Sequence, residues 1–419
     1  MLPQHLTTQE QHQFLTNISL SRVHVYSKNS TKIVENSITV PVNQVYTSYF
    51  VTPMTLGTEA GILHTYLALD TASPETWVQC EGCNPCIQVN RKDFSYTESP
   101  LYKKMSPYDP MCYPQVLYGG SCGFDITYGD NANNARTIGF VGRDVFYFQN
   151  AQNSDLLYPF PGIAFGCAVH NQNFRFGEND GPHNVIAGIH GLAPGPRSFL
   201  RQLTSQIRGQ FSYCLVSSSM MHVNSYISFG DDAHISGDDA TQVQSISMYR
   251  EKYHLYLNGI SVDGSRVPID PSIFELDEEL YTKGFFIDSG APFTVLARSA
   301  YNPLEQAMIN YFRHNYGWQP IDIGDQYPLC YSNFPSGNQR FPSMILHFAK
   351  GQSEEIDWIM HEDNLFLRHN DGFCVLIYVT DDPGPNLFGA FQQVNFNILY
   401  DVNNGLLSFV PKRCHEMTI

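Results

Sequence analysis

Tyr66-Leu67-Ala68-Leu69-Asp70-Thr71-Ala72-Ser73 is an apolar run that ends in an acid, followed by small and hydroxylated residues. Gly284-Phe285-Phe286-Ile287-Asp288-Ser289-Gly290-Ala291 repeats the same grammar. A short apolar run stopped by turn-forming residues is expected as a buried strand, with its terminal acid at the strand tip. Two such tips predict a duplicated unit whose halves present Asp70 and Asp288 to each other. Two carboxylates about 3 Å apart cannot both ionise cheaply: at an effective dielectric near 20 their repulsion is on the order of 5 kcal/mol. They would share one proton, so that one serves as base and the other as acid toward a water held between them. Taken singly, each acid is an ordinary turn residue at a strand end; the pairing carries the chemistry.

Other constellations point elsewhere. The chain has ten Cys, with Cys80, Cys83 and Cys86 tightly spaced. Zinc is the rival reading of that cluster, but no His or fourth Cys follows at ligand spacing. Disulfides are the expected state, and they imply an oxidising compartment. Gly119-Gly120-Ser121-Cys122-Gly123 matches a nucleophile-elbow pattern. That chemistry needs a buried strand before the Ser and a helix after it, and neither is expected in this loop-rich, Cys-flanked segment. Asp231, Asp232, Asp238 and Asp239 do not have the spacing of a helix–loop–helix calcium site and read as a solvated connector.

The elements that must position Asp70 and Asp288 are mostly strands. At 419 residues the chain is long enough for two domains. It has 25 Tyr, 28 Phe, 25 Pro and 31 Gly, a balance that favours β-structure with many turns. Residues 1–44 are polar, carry N-glycosylation sequons at Asn17 and Asn29, and are expected to form a poorly ordered leader or pro-segment. The expected lobes are 45–240 with Asp70 and 241–419 with Asp288. Strand-like runs fall at Tyr46–Pro53, Phe124–Asp130, Phe211–Leu215, Tyr253–Val262, Ser343–Phe348, Phe373–Tyr378 and Asn397–Phe409, with helices near Ser198–Leu203 and Ala300–Phe312. A net charge of −16 argues against nucleic acid or an anionic membrane as partner. No apolar run approaches the ~20 residues of a membrane span. Met1-Leu2-Pro3-Gln4-His5 shows no secretion signal, in tension with the cysteine content.

These residues resemble the pepsin-like aspartic proteases, and within them the plant nepenthesin-like branch, over about residues 45–414. The paired acid motifs look like Asp-Thr-Gly-Ser and Asp-Ser-Gly-Thr. Trp77 falls seven residues after Asp70, as the family's flap-anchoring Trp does. Tyr128-Gly129-Asp130 resembles the flap tip of the branch. Ile189-His190-Gly191 and Leu387-Phe388-Gly389 resemble the segments that close the loops beneath the acids. Phe211–Leu215, Phe388–Gln393 and Tyr400-Asp401 also look like that branch.

The resemblance implies an all-β, bilobal fold and an endopeptidase that works in acid without metal or organic cofactor. It implies catalytic roles for Asp70 and Asp288, and support from Thr71, Ser73, Ser289 and Gly290. Tyr128, Gly129, Asp130 and Trp77 would cover an extended peptide. A peptide or protein substrate, inhibition by pepstatin-type compounds, a monomeric state and a secreted or vacuolar location follow in the same way. The implied disulfides are Cys80–Cys83, Cys86–Cys167, Cys112–Cys122, Cys214–Cys414 and Cys330–Cys374.

Three residues depart from the pattern. Ala291 replaces a Thr, which removes a hydroxyl donor from Asp288 and predicts an optimum shifted toward weaker acid. Ala72 replaces a Gly beside the facing carboxylate. His190 replaces an apolar residue under the first acid loop; a neutral, hydrogen-bonded imidazole is expected, and a buried cation holding Asp70 ionised is the alternative. Ala72 and His190 keep open a rival reading, a protease-like protein of the cell wall that binds a glycosidase and cuts nothing.

Overall fold

The computed structural model describes residues 37–417 apart from 46–48, 130–133, 152–156, 177–180, 182, 221, 236–242, 250, 278–282, 325–327, 352 and 370. Its first element, β1 (Ser37–Val45), corrects the expected leader. Ile38, Val40 and Val42 alternate with polar or small residues, and all three are buried. A period of two with one buried face is the pattern of a strand, so residues 37–44 belong to the folded body. Asn17 and Asn29 lie outside the described residues.

β1 opens a six-stranded antiparallel sheet. It pairs with Ser225–Gly230, which pairs with Gln210–Cys214. Gln210–Cys214 pairs in turn with Phe396–Asp401, from the other end of the chain. Leu406–Pro411 and Gln244–Tyr249 complete the order. Three strands come from each half, so this sheet ties the lobes together. At the junction Phe211 faces Tyr400, with ring centroids 4.3 Å apart and planes within 10°. The Cys214–Cys414 disulfide closes the same sheet across a separation of 200 residues.

Each half then repeats one device. β2 (Tyr49–Leu56) turns antiparallel into β3 (Leu63–Asp70), which ends at the first acid. Ile186–Gly191 runs parallel to β3 and puts Gly191 opposite Asp70. It also pairs antiparallel with β4 (Trp77–Gln79). In the second half Phe285–Asp288 ends at the second acid, and Asn386–Gly389 runs parallel to it with Gly389 opposite Asp288. Thr294–Ala297 takes the place of β4, with Val295 opposite Leu387. The two closing glycines are steric requirements. A Cβ at Gly191 would lie 2.5 Å from the Ser73 carbonyl oxygen, and one at Gly389 2.2 Å from the Phe293 carbonyl carbon.

The second half also carries the longest helix, Arg298–Tyr316, which buries Ala300, Tyr301, Leu304, Met308 and Phe312 and ends at Gly317 with φ 70°. The discounted Ser121 sits directly after a two-residue hairpin turn, Gly119-Gly120, with φ 55° and 80°. No helix follows it.

Two of the five expected disulfides are exchanged. The structure pairs Cys80 with Cys167 and Cys83 with Cys86, in place of Cys80–Cys83 and Cys86–Cys167. Backbone register is the reason. β4 lies parallel to Leu157–Gln172 with Val78 opposite Cys167, and the Cys80 amide donates to the Ala168 carbonyl. The buried Cys80 sulfur therefore arrives at Cys167, and Cys83 and Cys86 remain on the following turn to meet each other. Cys112–Cys122, Cys214–Cys414 and Cys330–Cys374 are as expected.

Candidate active site

The two strand tips meet through their hydroxyl residues. The Thr71 amide donates to Ser289 Oγ at 3.2 Å, and the Ser289 amide donates to Thr71 Oγ1 at 3.0 Å. Each hydroxyl also crosses to the opposite strand: Ser289 Oγ donates to the Leu69 carbonyl at 2.9 Å and Thr71 Oγ1 to the Ile287 carbonyl at 3.4 Å. All of these groups are buried, where a lost partner costs more than at the surface. This reciprocal set fixes the two acid turns against each other.

Asp70 and Asp288 do not have equal surroundings. Asp70 Oδ1 accepts from the amides of Ala72 (2.8 Å) and Ser73 (3.0 Å), and its Oδ2 accepts from Ser73 Oγ at 2.5 Å. Asp288 accepts from the Gly290 amide at 2.7 Å and from the Ala291 amide, with no hydroxyl donor. Burial raises Asp70, and the Ser73 hydroxyl and the two amides oppose it. Asp288 is pushed up to about 8, first by burial and then by the charge of Asp70, against two amides only. The donors on Asp70 favour its charged form, and burial with the Asp70 charge favours the protonated form of Asp288. Gly290 packs against this charge: a Cβ there would come 2.6 Å from Asp70 Cγ.

His190 lies in the strand under Asp70, opposite Leu69. Its ring is fully buried among Phe148, Phe199 and Phe229, with centroids 5.7, 5.2 and 6.5 Å away. Nδ1 contacts Thr52 Oγ1 at 3.4 Å, and Nε2 has no hydrogen-bond partner. Burial holds its pKa at about 3. The imidazole is neutral as expected, but only half satisfied, and it supplies no cation to Asp70.

A cleft of about 510 Å³ opens at Asp70 and Gly290, on the first-acid side of the pair, lined among others by Tyr49, Tyr128, Phe174 and Phe176. Tyr128 ends the strand Ser121–Tyr128 and is followed by Gly129 with φ 91°. Its hydroxyl accepts from Trp77 Nε1 at 2.8 Å. Trp77 is fully buried, so a rigid base anchors the strand tip. Asp130 lies outside the described residues.

Several neighbours had no assigned role in the sequence. Phe174 contacts both Trp77 and Tyr128, at 5.2 and 5.7 Å between centroids. Gln393 donates to the backbone carbonyls of Asp288 (3.3 Å) and Phe388 (2.6 Å) and accepts from the Tyr213 hydroxyl at 2.5 Å. It holds the second acid turn from below, and its signal was the Phe388–Gln393 segment. Nothing near Phe174 in the sequence marked it. Among the described residues, the one group of Cys, His and acids at metal-ligand distance is Cys83, Cys86 and Asp93, and its two sulfurs are bonded to each other.

A family model described as Xylanase inhibitor N-terminal matches residues 50–231, and one described as Xylanase inhibitor C-terminal matches residues 252–411. Aspartic proteinase nepenthesin-1 of Nepenthes gracilis is 28% identical over 355 residues, 83% of this chain and 74% of that protein. Aspartyl protease AED1 of Arabidopsis thaliana is 29% identical over 355 residues, 83% of this chain and 68% of that protein. The structure resembles that of edgp with a TM-score of 0.72 at 18% identity, covering 92% of this chain and 97% of that one. Soybean basic 7S globulin gives 0.69 at 18% identity, covering 92% and 100%. A mostly β molecule of two related lobes, with an acid at the matched strand tip of each, has the pepsin-like fold. The chain belongs to the plant pepsin-like aspartic protease family.

Proposed function

We propose that the chain is an aspartic-type endopeptidase of acidic to weakly acidic optimum, acting on extended peptides. The observation that carries this is the unequal pair: three donors on Asp70, the Ser73 hydroxyl among them, against two amides on Asp288, an asymmetry that favours a charged Asp70 beside a protonated Asp288. In this reading the Asp70 carboxylate takes a proton from a water, whose oxygen forms a bond to the scissile carbonyl carbon. Asp288 gives its proton to the carbonyl oxygen. As the tetrahedral adduct collapses, the C–N bond breaks, the nitrogen takes the proton from Asp70, and a hydroxyl proton of the adduct returns to Asp288. Tyr128 covers the peptide, and Thr71, Ser73, Ser289 and Gly290 hold the acids. The disulfides support an oxidising compartment, which we take to be extracellular or vacuolar. Residues before Ser37 would serve as the pro-segment of a monomeric zymogen, glycosylated at Asn17 and Asn29.

The test is digestion of a denatured protein across mild to moderate acid, with and without pepstatin. Wild type should digest and pepstatin should stop it; Asp70→Asn should lose about 10²–10⁴-fold in rate, the usual worth of a general base. A second reading is a glycosidase-binding protein that cuts nothing, which the methyl of Ala72 and the xylanase-inhibitor description of the matching family models favour. Absence of digestion at every pH would select it, whereas digestion that ignores pepstatin and survives Asp70→Asn would reject the aspartic mechanism.

A further inference from the structure

The two acid turns are held from below in different ways. The Asp70 carbonyl accepts from the Leu192 backbone amide at 2.8 Å. At the matching place in the second half the Asp288 carbonyl accepts from a side chain, Gln393 Nε2, at 3.3 Å. The same Nε2 donates to the Phe388 carbonyl at 2.6 Å, on the strand parallel to Phe285–Asp288. One amide therefore clips two strand tips together. A side chain fixes a backbone only as firmly as it is itself fixed.

Tyr213 supplies that fixing from the other half of the molecule. It lies in the strand Gln210–Cys214, and its hydroxyl donates to Gln393 Oε1 at 2.5 Å. The Tyr400 hydroxyl is 2.8 Å from it. A hydroxyl has one proton, and Tyr213 gives its own to an amide oxygen, so Tyr400 is the donor in the second bond. The chain from Tyr400 through Tyr213 and Gln393 to the Asp288 carbonyl then has one polarity, with Oε1 toward Tyr213 and both N–H groups toward the turn. All three side chains are buried. Without the Tyr213 hydroxyl, Oε1 would lose this donor away from water, and a flipped amide would set its oxygen against two carbonyl oxygens.

We propose that Tyr213 is a positioning residue for the acid pair: acting through Gln393, its hydroxyl sets the second acid turn at its working distance from Asp70. This rests on the endopeptidase reading and adds to it a link from the interlobe sheet to the chemistry. The titratable groups acting on Asp288 are Asp70 from the facing turn and Tyr213 and Tyr400 from the sheet beneath. Burial holds both tyrosines above the ordinary phenol range, so they stay neutral in acid. At an effective dielectric near 20, opening the pair from about 3 to about 4 Å lowers their repulsion by the equivalent of about 1 pKa unit.

The test compares wild type with Tyr213→Phe, Gln393→Met and the double variant on one fluorescent peptide across the acid range. Tyr213→Phe should lower kcat by about 10- to 100-fold, the scale of a 1 Å misplacement, with KM unchanged. It should also move the upper limb of kcat/KM down by about 1 pH unit. Gln393→Met should do the same, and the double variant should add little, because both changes cut one route. A limb that stays in place while the melting temperature falls would make the hydroxyl merely structural and overturn the proposal, as would full additivity. Failure of wild type to cleave at any pH would instead overturn the endopeptidase reading. Carboxyl-carbon NMR of ¹³C-Asp protein, with Asp288→Asn to assign the signal, would still decide Tyr213: an Asp288 titration unchanged in Tyr213→Phe rules the role out. If neither single variant melts cooperatively, the network holds the fold rather than the acid, and the proposal falls.

Discussion

At the scale of single residues, the hydroxyl on Asp70 with none on Asp288 would set the pH range of the proposed activity. Activity by the proposed route needs Asp70 charged and Asp288 protonated. The upper limb of the profile is the loss of the Asp288 proton, which burial and the neighbouring charge hold up to about 8. A hydroxyl supplied at position 291 would donate to the charged form and lower that value. A hydrogen bond to a charged group is worth roughly 1.5–3 kcal/mol, or about 1–2 pKa units. Ala291→Thr should therefore move the upper limb of kcat/KM down by about that much, and a limb that stays put or rises would refute the assignment. His190 bears on stability instead. Its folded pKa of about 3 is below the ordinary 6.5, so the unfolded chain takes up the proton first as the pH falls. Stability is present above pH 6.5 and is lost progressively down to about pH 3. Between pH 7.5 and 4.5 this costs about 3 kcal/mol. His190→Leu should remove that loss; denaturant melts of both proteins at the two pH values measure it. Equal acid sensitivity would show that the imidazole is not buried neutral.

At the scale of elements, the strand that ends in an acid was readable because its pattern is local: an apolar run, an Asp, then small hydroxylated residues. Its duplication made the pairing readable too, while the closing glycines at 191 and 389 were legible only through the family resemblance of their segments. The pairing of Cys80, Cys83, Cys86 and Cys167 was not readable, because it depends on which strands lie parallel. β4 against Leu157–Gln172 delivers Cys80 to Cys167 through backbone bonds that no spacing rule in the 80–86 cluster encodes. Phe174 was hidden for a similar reason: its contacts with Trp77 and Tyr128 join segments far apart in sequence. The disulfide assignment has a direct check. Mapping of unreduced peptides should find Cys83 and Cys86 joined within one peptide and Cys80 joined to Cys167. A peptide linking Cys86 to Cys167 would restore the pairing expected from the family and overturn the register argument.

At the scale of the whole molecule, the lobes are held by the six-stranded sheet and the Cys214–Cys414 bridge, whose loop of about 200 residues contributes on the order of 5 kcal/mol by the chain-entropy argument. β1 is an essential edge of that assembly, since it pairs with Ser225–Gly230 and, through Asn43–Val45, with β2, which leads into the first acid strand. Composition hid it: the apolar alternation of Ile38, Val40 and Val42 is short and follows a long polar stretch. Each of these side chains is worth about 1.5–3 kcal/mol on burial, so β1 supplies roughly 5 kcal/mol or more of a total that is seldom above 15. A chain beginning at Ser37 should melt within a few degrees of the full-length protein, whereas one beginning at Tyr49 should melt about 10 °C lower or fail to fold. Thermal melts of the two truncations decide the matter. If the shorter chain melts with the full-length protein, β1 is a displaceable strap and the pro-segment extends past residue 44. If it does not, any maturing cleavage has to fall before Ser37, because a cut after β1 would remove the edge strand that joins the interlobe sheet to the strand bearing Asp70.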